Sequence, residues 1–129
     1  MSKSVFGIGI MTLVMAIASC ISGNDKKFKG FMIDAARDVE TMEYYHRLID
    51  FFSERGFNTI LFRLTDDEGC AMKFTSHPEL ITHPGAYSSE QIKELIAYAE
   101  KRDIELIPEV ESFGHTKYIT KTTTYAYLR

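Results

Sequence analysis

Three short apolar runs, each ending at once in ionisable residues and separated by two amphipathic stretches of helix length, confine this chain to an α/β fold. The runs are Phe31-Met32-Ile33, Thr59-Ile60-Leu61-Phe62 and a third over 104–110. Between the first two, Tyr45, Leu48, Ile49 and Phe52 recur at i, i+3, i+4 and i+7, which is one buried helical stripe. Thr41 suits the N-cap, Glu43 the positive first turn and Gly56 the C′ position, so the pattern predicts a helix over 41–55. Ahead of the third run, Ser88 and Gln91 have capping-box spacing and open a second stripe of Ile92, Leu95, Ile96 and Ala99. Strand, helix, strand, helix, strand with short links implies a parallel sheet. The segment 74–87, with Pro78, Pro84 and Gly85, reads as irregular.

Acidic residues at the C-terminal ends of parallel strands are where α/β enzymes keep their chemistry. Asp34 and Arg37 follow the first run. Arg donates in a rigid fork and Asp accepts, so the pair can clamp vicinal sugar hydroxyls; the same pair also suits a plain salt bridge. The second run empties into Leu64-Thr65-Asp66-Asp67-Glu68-Gly69, expected to be an acidic loop. Adjacent aspartates also occur in metal sites, but no further His or Asp ligands stand at usable spacing, and no metal is expected. After the third run come Glu109, Glu111 and His115, with Gly114 giving the backbone room to turn His115 over the strand ends. A His between carboxylates can tune an acid. Cys70 reads as a small packing residue, and Tyr44, Tyr45, Phe51 and Phe52 as core and rim.

The N-terminus is of another kind. Lys3 precedes an apolar stretch over 5–17 that is shorter than the ~20 residues a spanning helix needs. It ends in Ile17-Ala18-Ser19-Cys20, which resembles a bacterial lipobox: cleavage would precede Cys20, and the Cys would carry the lipid. The expected organisation is a lipoprotein signal peptide over 1–19, a polar tether over 20–28 with a lipidated Cys20, and a folded unit over 29–129. That organisation implies an outer-membrane lipoprotein facing the periplasm or the cell exterior. With a net charge of -3 there is no basic face, so nucleic acid is not an expected partner. Gly7-Ile8-Gly9 lacks a preceding strand, so it is no phosphate loop, and no cofactor is expected.

Taken together, Gly30-Phe-Met-Ile-Asp34-Ala-Ala-Arg37, Leu64-Thr-Asp66-Asp67-Glu-Gly69 and Ile107-Pro-Glu-Val-Glu111-Ser-Phe-Gly-His115-Thr116 resemble the family 20 glycoside hydrolases, the β-N-acetylhexosaminidases. The similarity runs over roughly 29–120 and includes His77-Pro78-Glu79-Leu80. It implies a (β/α)8 TIM barrel, of which about three β/α units are present, because a whole barrel takes about 250 residues. It also implies removal of terminal N-acetylhexosamine from glycans by a substrate-assisted retaining mechanism. By position, Arg37, with Asp34 beside it, would bind the terminal sugar. Asp66 and His115 would support a general acid, with Glu111 in the same network. The family's fourth-strand Asp-Glu pair, which includes that acid, does not occur before Arg129, so these residues alone are expected to be inactive. Four positions depart from the pattern: Cys70 stands where an aromatic residue is common, Arg63 in place of His, Glu111 in place of Asp, and Phe113 in place of Pro. The changes at Arg63, Glu111 and Phe113 also suit a non-catalytic sugar-binding lipoprotein. A free-standing flavodoxin-like domain would need a closing helix after the third strand.

Overall fold

The computed structural model describes residues 27–129; the expected signal peptide, Cys20 and most of the expected tether lie outside the described residues. Among the described residues the first element is strand β1 (Gly30–Asp34), then helix α1 (Met42–Glu54) and strand β2 (Thr59–Arg63). A two-residue strand β3 (Thr65–Asp66), β4 (Gly69–Met72) and β5 (Thr82–Tyr87) follow before helix α2 (Ser89–Glu100) and strand β6 (Glu105–Glu109). A short helix α3 (Lys117–Thr120) comes last, followed by a 3-10 turn.

The helix boundaries follow from their caps. Thr41 accepts from the Tyr44 N–H, and Gly56 takes φ 71 just past the C-cap. At α2 both halves of the capping box form between Ser88 and Gln91. Each helix turns its stripe inward: Tyr45, Ile49 and Phe52 from α1 join Leu95 and Ala99 from α2 on Ile60, Phe62 and Ile104. Ile92 packs against that core, whereas Ile96 is exposed. On the outer side of the helix pair, the Tyr98 hydroxyl donates to Asp50 at 2.9 Å. Arg102 pairs with the same carboxylate and lies over the Tyr98 ring.

The main sheet is parallel in the order β1-β2-β6, with α1 and α2 as its two crossovers. Its outer strands are not joined, so among the described residues the sheet is open and forms no closed barrel. Two segments differ from the sequence expectation. The acidic loop is a hairpin, β3 pairing antiparallel with β4. The segment read as irregular contains β5, which runs parallel to β4 through a register shift. Pro84 and Gly85 fit there because β5 is the edge of this second small sheet and the shift removes the need for a regular ladder. The tail forms α3, whose Tyr118 is buried.

The core predicts its own sensitivity. Ile49→Ala, at a fully buried position, should cost about 2–5 kcal/mol in a urea unfolding titration, while Glu54→Ala on the exposed face should stay within about 0.5 kcal/mol.

Candidate functional site

Side chains alternate across a strand. The Phe31–Phe52 and Tyr45–Phe62 ring contacts put Phe31 and Phe62 on the helix side of the sheet. Met32, Leu61 and Ile107 therefore share the other face, and the last row on that face is Asp34, Arg63 and Glu109, partners in register across three strands. The ionisable groups singled out at the strand ends, Asp34, Arg37, Asp66, Asp67, Glu109, Glu111 and His115, gather around this row.

Asp34 ends β1 and accepts from the Arg37 backbone N–H at 3.2 Å, closing a tight turn over the fully buried Ala35 and Ala36. His83 on β5 clips the same turn, its Nε2 lying 2.6 Å from the Ala36 carbonyl oxygen. A carbonyl only accepts, so His83 carries its proton on Nε2. Arg37 then reaches back: its Nε is 3.4 Å from Asp34 Oδ2 and its Nη2 3.1 Å from Asp66 Oδ2. Asp66 sits on β3 with only 2% of its surface exposed. Burial by itself would raise its carboxyl, but the Arg37 hydrogen bond and the charges of Arg37, Arg63 and His115 prevail and hold it below the usual carboxylate range. Gly69, with φ 150, closes the hairpin turn where a Cβ would lie 3.3 Å from the Ile81 carbonyl oxygen, so any side chain there would be both strained and crowded.

His115 is brought in by its own backbone. It takes φ 49, in the left-handed region, while Gly114 has ordinary φ; the turn expected of the glycine is made by the histidine. Its Nδ1 lies 3.4 Å from Asp66 Oδ2 and 3.8 Å from Asp67 Oδ2. Asp67 is engaged by Lys117, whose backbone N–H donates at 3.1 Å and whose ammonium donates at 2.9 Å; both bonds lower the Asp67 carboxyl. Glu111 is held by three contacts. Its N–H donates to Thr65 Oγ1 at 2.8 Å, its carbonyl accepts from the Tyr118 hydroxyl at 2.5 Å, and its carboxylate bonds Arg63 Nη2. Cys70 is buried, which pushes its thiol up to about 11, and it packs as expected.

Arg37, Asp66, Asp67, His115 and Lys117 line one open cleft of about 600 Å³. Asp34 and Glu111 do not line it; both contact Arg63, which links them to Asp66. A second hollow of similar size, about 640 Å³, lies beside Asn58, Thr59 and Glu105 at the N-terminal ends of the strands, away from these groups. The cleft at the C-terminal ends is the one with chemistry in it. Sequence reasoning did not place Arg63, Thr65, Lys117 or Tyr118 in the site. Arg63 alone left a signal, as a cation closing an apolar strand at the position matching Asp34 and Glu109.

A parallel sheet crossed by helices, with its carboxylates, guanidiniums and histidine gathered at the strand C-termini, is the layout of a β/α-barrel enzyme. The glycosyl hydrolase family 20 catalytic domain is matched over residues 27–128, and the chain belongs to that family. It is 34% identical over 116 residues to a β-hexosaminidase of Vibrio furnissii, covering 74% of this chain and 19% of that protein. A β-hexosaminidase of Akkermansia muciniphila is 29% identical over 104 residues, covering 70% of this chain and 21% of its own. Among solved structures, the Flavobacterium johnsoniae chitobiase superposes with a TM-score of 0.70 at 29% identity, over 78% of this chain and 15% of that one. The Vibrio harveyi exo β-N-acetylglucosaminidase in complex with N-acetylglucosamine superposes at 0.69 and 31% identity, over 74% of this chain and 18% of that one. The chain thus spans about a fifth of the length of such relatives. Its open sheet is part of the TIM barrel that the family shares.

The ionised state of Asp66 gives a pH prediction. A carboxyl depressed in the folded state adds stability that is present above its unfolded value and lost as pH falls through its folded value. The melting temperature should therefore drop as pH is lowered from about 4, the unfolded carboxyl range. In Asp66→Asn it should start lower at pH 7 and lose part of that acid-side fall, read from melting curves between pH 2.5 and 8.

Proposed function

We propose that the protein is a β-N-acetylhexosaminidase, a glycosidase that removes terminal N-acetylhexosamine from glycans by the substrate-assisted retaining route of its family. One observation carries the assignment of roles. Arg37, with 48% of its side chain exposed, presents a guanidinium to the cleft while a buried, ionised Asp66 holds it from behind. That is an arrangement for gripping sugar hydroxyls in a fixed direction, because the fork is oriented before the sugar arrives. Asp34, which bonds the Arg37 backbone and side chain, keeps the turn in place and supports the same contact. His115, exposed over the cleft and backed by Asp66 and Asp67, supports the general acid that the wider protein supplies, and Glu111 belongs to the same charge network. In this route the substrate's acetamido oxygen is the nucleophile, so the enzyme carboxylates position and protonate rather than attack.

We also propose that Cys20 is lipidated and ties the protein to the outer membrane, facing the periplasm or the cell exterior. Ile17-Ala18-Ser19-Cys20 supports this reading. Several acyl chains hold a protein firmly, at about 0.8 kcal/mol for each buried methylene.

Two measurements test these readings. Full-length protein should hydrolyse a chromogenic N-acetylglucosaminide, and Arg37→Met should lower kcat/KM by about 10- to 100-fold, the loss of one charge-assisted contact. A full-length protein that binds N-acetylglucosamine without hydrolysing it would leave a lectin-like lipoprotein instead. Cys20→Ala should move the protein from the membrane pellet to the soluble fraction, and an unchanged distribution would end the lipid assignment.

A further inference from the structure

Arg63 contradicts its surroundings. It closes the strand Thr-Ile-Leu-Phe-Arg and is 7% exposed, yet carries a full charge. A guanidinium in that position must be balanced by anions and hydrogen bonds, and the structure supplies four carboxylates from three segments of chain. Its Nη1 lies 3.5 Å from Asp34 Oδ2, its Nη2 3.2 Å from Asp66 Oδ2 and in contact with Glu111, and its Nε 3.6 Å from Glu109 Oε1. Nη1 thus faces the end of β1, Nε the end of β6, and Nη2 both Asp66 on β3 and Glu111 just past β6. Nε is buried and makes no hydrogen bond, so its contact with Glu109 is ionic only.

The consequence lies in Asp66. A single oxygen, Oδ2, meets Arg37 Nη2 at 3.1 Å, Arg63 Nη2 at 3.2 Å and His115 Nδ1 at 3.4 Å. Where that oxygen sits decides where Arg37 and His115 point, and Arg63 is the partner that holds it from the buried side. Arg63 and Glu111, two of the positions that depart from the family pattern, bond each other. They act as one unit.

We propose that Arg63 is a positioning residue for the cleft: it does not line the cleft, and its planar fork fixes Asp66 and Glu111 so that Arg37 and His115 keep their orientation. The proposal rests on the reading of the cleft as a sugar site. Lys at this position would keep the charge and lose the fork, because its ammonium is a compact point charge on a flexible stem. A purely stabilising role for Arg63 would be served by either cation.

The test compares Arg63→Lys, Arg63→Met and, as a control on an outer ion pair, Arg102→Lys in the full-length protein. Arg63→Lys should melt within a few degrees of wild type but lose about 100-fold in kcat/KM, as expected for a misplaced contact. Arg102→Lys should lose none. In Arg63→Met the charge is gone as well, so the acid limb of the pH–rate profile should move towards neutral pH, while in Arg63→Lys it should stay in place. Full activity in Arg63→Lys would overturn the proposal. If the wild-type protein hydrolyses no N-acetylhexosaminide, the sugar-site reading fails by itself. The positioning of Asp66 is then decided by ¹³C carboxyl titration: an Asp66 resonance unchanged in chemical shift and titration between wild type, Arg63→Lys and Arg63→Met overturns it, and a changed one supports it.

Discussion

The parallel register of β1, β2 and β6 sets Asp34, Arg63 and Glu109 in one row, and both the fold and the site depend on that row. Side chains alternate along a strand, so slipping any of the three by one residue would send its charged group to the helix side. There it would meet Tyr45, Ile49, Phe52 and Leu95, with no water and no counter-ion. The same slip of β2 would bring Phe62 or Leu64 into the row among carboxylates. Pairing the strands correctly and assembling the charge cluster are therefore one event. Below the row, Met32 and Ile107 show the apolar character of the same face, both partly exposed in this open sheet.

Electrostatics then sorts the groups by depth. Buried Asp66 stays ionised because two guanidiniums and a histidine surround it, whereas Asp67, nearer the surface, is engaged mainly by Lys117, with His115 farther off at 3.8 Å. Structure outside the row acts mainly as a frame. The small second sheet carries Asp66 on β3 and anchors the Arg37 turn through His83 on β5. Buried Tyr118 reaches from α3 to the Glu111 carbonyl, so the tail fixes the segment that brings His115 over the cleft.

Local rules were enough where the cause was local. Thr41, Ser88, Gln91 and Gly56 announce helix ends because capping is decided within a few residues, and the two helical stripes are legible because burial follows the helical period. Strand ends rich in Asp and Glu pointed to the end of the sheet where the structure gathers these groups around one cleft. The misses share a different cause. Pro84 and Gly85 argue against a strand unless it is known that β5 lies at an edge and pairs through a register shift, which depends on β4. Gly114 looked like the turning residue because glycine adopts positive φ most easily; the contacts that hold His115 in that region come from Asp66 and Asp67, far earlier in the chain. Arg63 was visible as an oddity, but its meaning lies in carboxylates on other strands, which no local pattern reveals.

Two arginines share Asp66, and burial divides their work. The outward side of the Arg37 guanidinium meets water, so Arg37 can trade that water for a ligand's oxygens at little cost while Asp34 and Asp66 hold its direction. A guanidinium enclosed by carboxylates cannot leave without stranding them, so Arg63 is committed to its contacts. The exposed cation can bind because the buried one cannot. Asp66 is the hinge of this arrangement: it is fixed by the inner arginine and, in turn, orients the outer one. A site built in this way has its direction set before any ligand enters, and that preorganisation comes from a charge that never meets the ligand.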